Sequence, residues 1–161
     1  MKAIRLLLCT SALAAAEAPN PIIDIERFSA LTREVAVLRD SRRVSEDEFL
    51  RLAAEPGTVI LDARSREKYD QLHVKGAVHL NFADFTEASL AAVIPTKATR
   101  VLIYCNNNFQ GAPQPFPSKV IALNLPTFVT LHGHGYTEVH ELGPLLDIKT
   151  TRIPFAGTAA K

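Results

Sequence analysis

Arg100-Val-Leu-Ile-Tyr-Cys105 decides the fold, because it is a short apolar run that stops at a cysteine. A compact apolar run of this length is typical of a strand buried on both faces of a parallel sheet. Thr58-Val-Ile-Leu61 has the same character, and Asp62 follows it directly. Helical patterns separate these runs along the chain. The alternation predicts an α/β fold, a three-layer α/β/α sandwich with a mainly parallel central sheet.

The other expected elements follow from apolar spacing and capping residues. Apolar residues that recur every three or four positions predict an amphipathic helix over Ile25–Leu38, packed on the outside of the main domain. Ser45 followed by Glu48 has the spacing of a capping box and predicts a helix start. The remaining predictions are an edge strand or bridge at Arg42–Val44, helices over Glu46–Ala54, Glu67–Leu72, Phe82–Val93, Ser118–Leu125 and Pro126–His132, and strands at Ala77–Leu80 and within Tyr136–Leu142.

The stretch after Cys105 is predicted to be a loop. Asn106–Pro117 is rich in the turn formers Asn and Pro, and such a composition continues neither a helix nor a strand. Ligands of open α/β sheets bind beyond the carboxyl ends of the strands, which is where Cys105 is expected. Residues 143–161 are predicted to form a tail, held by one apolar clasp at Leu145, Leu146 and Ile148.

The amino terminus has the layout of a secretory signal peptide. Lys2 and Arg5 precede an apolar stretch over Leu6–Ala16, which ends in three alanines that fit an A-x-A cleavage site. The stretch is too short to span a bilayer. The sequence therefore predicts cleavage near Ala16 and a periplasmic or secreted protein with no membrane span. A buried N-terminal helix is the alternative.

Composition limits the remaining possibilities. The chain has 161 residues, 47% of them hydrophobic, which indicates one globular domain with a real core. The formal net charge of +1 argues against nucleic acid as a partner. Removal of residues 1–16 would also remove Cys9 and leave Cys105 as the lone cysteine, unable to form an internal disulfide. The expected organisation is a signal peptide over 1–16, an accessory helix and linker over 17–42, the main domain over 43–148 and a tail over 149–161.

Four segments together resemble the rhodanese (sulfurtransferase) family. They lie in the family's order and spacing, and the similarity extends over about Arg43–Leu146. The segments are Val59–Arg64 with Tyr69 (apolar strand, D-x-R and a following aromatic), Leu72–Val78 (similar to G-H-I-P-G-A-I), Val101–Cys105 (apolar strand ending in Tyr-Cys) and Gly135–Val139 (similar to G-[FY]-x-x-V). The resemblance implies the family's fold and sulfur transfer through Cys105.

The sequence departs from that pattern at several positions. Lys68 stands where the family usually has Glu, and Leu72 stands where it usually has Gly. The loop after Cys105 is longer than in ordinary members, and no Arg or Lys occurs between Cys105 and Lys119. The final Gly-Gly and aromatic pattern is also missing. The resemblance therefore implies the fold more firmly than the activity.

A cysteine between a strand end and a helix start is expected to meet backbone N–H groups and a positive helix terminus. Both stabilise a thiolate, so the pKa of Cys105 is expected to fall toward neutrality. The same amides suit an anionic persulfide. The Asn residues after it are expected to adopt left-handed conformations and to donate to an anion. The predicted substrate-binding residues are Asn106, Asn107, Asn108, Phe109, Gln110 and Gly111, and the predicted loop-organising residues are Asp62, Arg64 and His73.

The leading hypothesis is that Cys105 accepts a sulfane sulfur, holds it as a persulfide and passes it to an acceptor thiol. Its partners are a small sulfur-containing anion or a thiol. The alternative is an inert cysteine in a non-catalytic module that binds an anion or a partner protein. Phosphatase activity is disfavoured, because it needs a loop arginine. His132 and His134 provide two ligands, too few for a metal site, so neither a metal nor a cofactor is expected.

Overall fold

The structure, a computed structural model, describes residues 20–113, 119–120 and 122–160, and the predicted signal peptide over 1–16 lies outside them. The helices are α1 (Ile25–Arg42), α2 (Glu46–Ala53), α3 (Arg66–Gln71), α4 (Glu87–Val93) and α5 (Asn124–Gly133). The strands are β1 (Arg43–Val44), β2 (Val59–Asp62), β3 (His73–Val74), β4 (Val78–His79), β5 (Val101–Tyr104), β6 (Phe109–Gln110), β7 (Val139–Leu142), β8 (Leu146–Asp147) and β9 (Phe155–Ala156).

A five-stranded sheet forms the centre of the molecule, in the order β1-β7-β5-β2-β4, and every pairing within it is parallel. The prediction of a mainly parallel α/β fold is confirmed. Asp62 is the register partner of Tyr104, so β2 and β5 end level with each other. The residues that follow these two strands therefore share one edge of the sheet, as expected for a binding edge.

Apolar side chains on the two faces of the sheet build two cores. Val101 and Ile103 of β5 belong to the core beneath α1, α4 and α5. Leu102 and Tyr104 belong to the core on the opposite face, which includes Phe49 of α2. Successive side chains of β5 point to opposite faces of the sheet, and both faces are buried. This explains why the sequence shows a continuous apolar run there. Hydrophobic burial on both faces holds Cys105 at the end of a well-packed strand.

Two predicted helices have different bounds in the structure. The helix expected over Ile25–Leu38 continues to Arg42 and packs against α5 and β7. The single helix expected over Phe82–Val93 is wrong, because a 3₁₀ turn at Phe82–Asp84 precedes a separate α4. The Thr86 hydroxyl accepts a hydrogen bond from the N–H of Ser89, and the Ser89 side chain bonds back to Thr86. This capping box starts a new helix at that point.

The loop and tail are more regular than the sequence indicated. Asn106–Asn108 forms a 3₁₀ turn, and β6 follows it and pairs in parallel with β8. β9 pairs antiparallel with β3. None of the described residues other than glycine has a positive φ, so the expectation of left-handed Asn residues is wrong for this loop. A 3₁₀ turn satisfies the backbone there with ordinary conformations.

The helix predicted over Ser118–Leu125 is absent at its described positions 119–120 and 122–123, and α5 begins at Asn124. Pro126 lies in the first turn of α5, where its missing N–H costs no helical hydrogen bond. Tyr136–Leu142 supplies β7, which begins at Val139. Within the described ranges, none of the helices has the length and apolar character needed to traverse a bilayer.

Candidate functional site

Cys105 lies immediately after β5, with its side chain buried and unpaired with another sulfur. Only 1% of the residue is exposed. Its backbone N–H donates to Asn108 Oδ1 at 3.0 Å, which turns the chain sharply as it leaves the strand. The sulfur is therefore fixed at the end of the central strand by the turn that follows it.

Backbone N–H groups surround the sulfur of Cys105. Those of Asn107 in the turn and of Leu123 and Asn124 at the start of α5 lie close enough to stabilise negative charge on it. The N–H of Asn108 also points at the Cys105 side chain. A concave set of main-chain donors of this kind binds an anion without any charged side chain. The expected geometry of strand end, amide ring and helix start is present.

The expected low pKa of the thiol is wrong. Burial raises the pKa of the Cys105 thiol, the N–H groups of Asn107 and Asn124 oppose that rise, and the carboxylate of Glu141 adds to it. The free-energy cost of removing the thiolate from water exceeds the stabilisation that the amide N–H groups provide. Cys105 is therefore held mainly as a neutral thiol at neutral pH.

The side chains of the Asn residues in the turn serve mostly structural roles. Asn106 Oδ1 accepts a hydrogen bond from Arg64 Nη1 at 2.6 Å. Asn108 Nδ2 donates to the carbonyl of Leu142 at 2.7 Å, while its Oδ1 accepts from Cys105. Both residues are buried. It is therefore the backbone amides, more than the Asn side chains, that face the sulfur.

A buried ion pair holds the neighbouring loop. Arg64 contacts both carboxylate oxygens of Asp62, at distances from 2.6 to 3.2 Å, and donates to the carbonyl of Leu72 at 2.7 Å. Tyr104 donates its hydroxyl proton to Asp62 at 2.5 Å. Burial pushes the pKa of Tyr104 well above its ordinary value, so the phenol stays protonated as a donor. Arg64 thus ties the ends of β2 and β5 to the turn after Cys105.

An open pocket of about 280 Å³ gives access to the cysteine. Cys105 contributes to its wall together with Arg64, Lys68 and Asn106. Its other lining residues are Ala63, Ser65, Asn81, Phe82, Ala83 and Leu123. Cys105 is therefore buried and is still one of the residues that line a cavity large enough for a small anion.

Most of the predicted binding residues lie away from this pocket. Of the six loop residues, Asn106 alone lines it in the part of the chain that the structure describes. Phe109 is buried against Tyr104 and Phe155, while Gln110 is exposed and Gly111 follows it with φ +80. His73 stacks on Tyr69 with ring centroids 3.8 Å apart. These residues shape the surroundings of the site and do not form its wall.

Lys68 is the residue that sequence reasoning missed. It reaches the pocket from α3, which is far from Cys105 in the sequence, and it forms no ion pair with any described residue. Arg64 is occupied by Asp62, Asn106 and Leu72. Lys68 therefore supplies the free positive charge that the loop itself lacks. The replacement of the family's usual Glu by Lys68 was the sequence signal that could have indicated a cation at the site.

The described residues contain no group of three or more His, Cys, Asp or Glu side chains able to hold a metal ion. His132 lies 3.8 Å from Glu34, and His134 lies 2.9 Å from Glu87. Both histidines are partly exposed and lie on the surface at the end of α5.

Comparison with known proteins identifies the fold family. A family model described as the rhodanese-like domain matches residues 45–142, well over half of the chain. The chain belongs to the rhodanese-like domain family. The predicted resemblance is thereby confirmed, and within this rhodanese-like domain the matched region contains β2, β5, the amide ring and β7.

Individual relatives agree with this assignment. Over 93 residues the chain is 30% identical to the thiosulfate sulfurtransferase PspE of Escherichia coli (strain K12), covering 58% of this chain and 76% of that protein. A rhodanese-like domain from Anabaena sp. has a TM-score of 0.52 at 22% identity, over 73% of this chain and 80% of that one. A Bacillus halodurans protein has a TM-score of 0.51 at 15% identity, over 84% and 89%. The two structures support the rhodanese-like fold alone.

Parts of this rhodanese-like protein lie outside the match. α1 precedes residue 45, and β8 and β9 follow residue 142. β8 pairs with β6 directly after the turn that carries Asn106–Asn108, and β9 covers β3. The additions therefore pack beside β6, through its pairing with β8 and the contact between Phe109 and Phe155 of β9.

Proposed function

We propose that this protein is a sulfurtransferase in which Cys105 accepts a sulfane sulfur from a small anion such as thiosulfate. The observation that carries the proposal is the set of backbone N–H groups around the Cys105 side chain, next to a pocket that Cys105 lines together with Lys68. Such a set suits the outer sulfur of a persulfide, which is an anion near neutral pH.

The reaction has two balanced steps. The Cys105 thiolate attacks the outer sulfur of thiosulfate, a new S–S bond forms, and the bond inside thiosulfate breaks with its electron pair leaving on sulfite. An acceptor thiolate then attacks the outer sulfur of the persulfide and takes it away, which regenerates the Cys105 thiolate. No external oxidant or reductant takes part, because sulfane sulfur moves without a net change in electrons.

Two groups of the protein assist this chemistry. The amides of Asn107, Asn108, Leu123 and Asn124 stabilise negative charge on the sulfur that Cys105 carries. Lys68 attracts the dianionic donor into the pocket and balances its charge during attack. The absence of a loop arginine therefore does not leave the donor without a cation.

The raised pKa of Cys105 sets the pH dependence of the first step. The thiol must lose its proton before it attacks, and burial raises its pKa. The fraction of thiolate grows with pH until the medium passes that pKa. The rate of sulfur loading is accordingly expected to rise through the neutral and mildly alkaline range.

The test is intact-mass analysis after incubation with thiosulfate. We expect the protein to gain one sulfur atom, and the gain to be lost in Cys105→Ser and reversed by a small thiol. In the uncleaved chain, Cys9→Ser is the matched control, because it removes the chain's other cysteine and is expected to leave the adduct unchanged. A Cys105→Ser protein that still gains sulfur, or a wild-type protein that gains none from any sulfane donor, would refute sulfur transfer through Cys105.

A non-catalytic binding module is the second candidate, and the burial of Cys105 favours it. A residue only 1% exposed with a raised thiol pKa suits an inert cysteine beneath an anion-binding pocket. Under this candidate, thiosulfate or sulfate binds in the pocket of wild type and Cys105→Ser equally, and neither protein gains mass. The same mass experiment therefore separates the two functions.

The proposal includes export, based on Lys2, Arg5 and the apolar stretch over Leu6–Ala16. When the full chain is produced in a Gram-negative host, we expect the protein in the periplasmic fraction to begin near Glu17 by intact mass. Retention of Met1 on protein in the cytoplasmic fraction would contradict export.

A further inference from the structure

A buried carboxylate lies close to the cysteine and is neutralised by the accessory helix. Glu141 in β7 is 3% exposed. Arg39 in α1 binds it with two hydrogen bonds, Nε to Oε2 and Nη2 to Oε1, the latter at 2.7 Å. Bidentate pairing of this kind is the strongest geometry between these two groups. The contact joins residues 102 positions apart in the sequence.

The ion pair continues into the turn that holds the sulfur. Asn124 Nδ2 donates to Glu141 Oε1 at 3.2 Å and to Asn108 Oδ1 at 3.0 Å. Asn108 Oδ1 in turn accepts from the N–H of Cys105. The backbone N–H groups of Asn108 and Asn124 also point at the Cys105 sulfur. One connected path therefore links the α1 guanidinium to the cysteine.

The ion pair can affect Cys105 through its charges as well as through the hydrogen bonds of this path. Glu141 is near enough to Cys105 for its negative charge to oppose a thiolate. The positive charge of Arg39 compensates that carboxylate. Other charged or titratable groups lie near the site or the ion pair. They include Arg64, Lys68, Asp62 and Tyr104 on the β2 side, Asp40 beside Arg39, Arg43, which donates to the carbonyl of Gly143, and His140 beside Glu141 with its partners Arg42 and Glu138.

We propose that Arg39 of α1 is a positioning residue of the cysteine site, which neutralises Glu141 and thereby allows negative charge to develop on Cys105. Arg39 lies in α1, outside the region that the family model matches. The cation of the Arg39–Glu141 ion pair therefore comes from a helix that precedes the matched rhodanese-like region. The inference concerns the charge state of the thiol. It holds whether or not Cys105 accepts sulfur.

The experiment follows the ultraviolet absorbance of the Cys105 thiolate during a pH titration. The titration spectra of Cys105→Ser are subtracted, which removes the absorbance of the tyrosines and, in the uncleaved chain, of Cys9. Arg39→Gln removes the positive charge that pairs with Glu141, so the pH midpoint of Cys105 thiolate formation is expected to rise by about one pH unit. In Glu141→Gln, which keeps the shape of the side chain, the midpoint is expected to fall by about one pH unit. Midpoint shifts of opposite sign in the two variants indicate that the charges of Arg39 and Glu141 control thiolate formation.

A purely structural role predicts a different result. If the network only held the turn in place, both variants would loosen the same amides and shift the midpoint in the same direction. The double variant Arg39→Gln/Glu141→Gln is expected to return close to the wild-type midpoint, and Arg39→Lys to lie between wild type and Arg39→Gln. Shifts of one sign, or no shift in Glu141→Gln, would overturn the inference even if Arg39→Gln proves unstable.

Discussion

Arg64→Ala is expected to lower the free energy of unfolding by about 3–5 kcal/mol, the usual cost of removing one partner of a buried ion pair. The Asp62 carboxylate would remain fully buried with its principal cation gone. The Leu72 carbonyl and Asn106 Oδ1 would each lose a donor at the same time. Denaturant unfolding followed by far-ultraviolet circular dichroism measures the change.

Arg66→Ala is the matched control for this prediction. Arg66 lies two residues further along the chain and pairs with Asp70 on an exposed face of α3. Exposed pairs contribute little, so the free energy of unfolding is expected to stay nearly unchanged. Asp62→Asn added to Arg64→Ala should recover part of the loss, because it removes the unpaired charge. Equal stability of Arg64→Ala and Arg66→Ala would show that the buried pair does not hold the edge of the sheet.

The central strands were predictable because local composition dictates them. β2 and β5 need apolar residues on both faces, and that requirement leaves a continuous run in the sequence. Ser45 likewise accepts from the N–H of Glu48, as its spacing indicated. These features depend on neighbours within a few residues, which a sequence displays directly. The position of Cys105 follows from them without further information.

The rest depends on pairings between distant segments. β6 and β8 are two residues each and have no apolar periodicity, so only their mutual pairing defines them. The turn at Gly157 is similar: its φ is +116, and an added Cβ would lie 2.7 Å from the carbonyl oxygen of Gln71. Such close approaches across the fold leave no local signature.

The charge balance of the site was hidden for the same reason. The loop after Cys105 contains no Arg or Lys before Lys119, so its own sequence shows no cation for the site. The structure brings Lys68 from α3 and Arg39 from α1 to opposite sides of the cysteine. Lys68 lines the open pocket. Arg39 faces a buried carboxylate. Donor binding is the role we propose for Lys68, and control of the charge on the thiol is the role we propose for Arg39.

Replacement of Lys68 by glutamine is expected to raise the KM for thiosulfate by about 10- to 100-fold, because a hydrogen bond to a charged group contributes about 1.5–3 kcal/mol. The effect should fall on KM more than on kcat, since saturating donor restores occupancy of the pocket. Steady-state transfer from thiosulfate to a thiol acceptor measures both constants. Lys68→Arg keeps the positive charge and is expected to retain most of the affinity.

Lys97→Gln provides the control for lost charge, because Lys97 precedes β5 and so lies at the opposite end of the sheet from Cys105. It removes one positive charge without touching the pocket, so the KM for thiosulfate should stay near that of wild type. If Lys68→Gln and Lys97→Gln change KM equally, the overall charge of the protein governs donor binding. If neither changes it, the backbone amides around Cys105 hold the donor without help from α3.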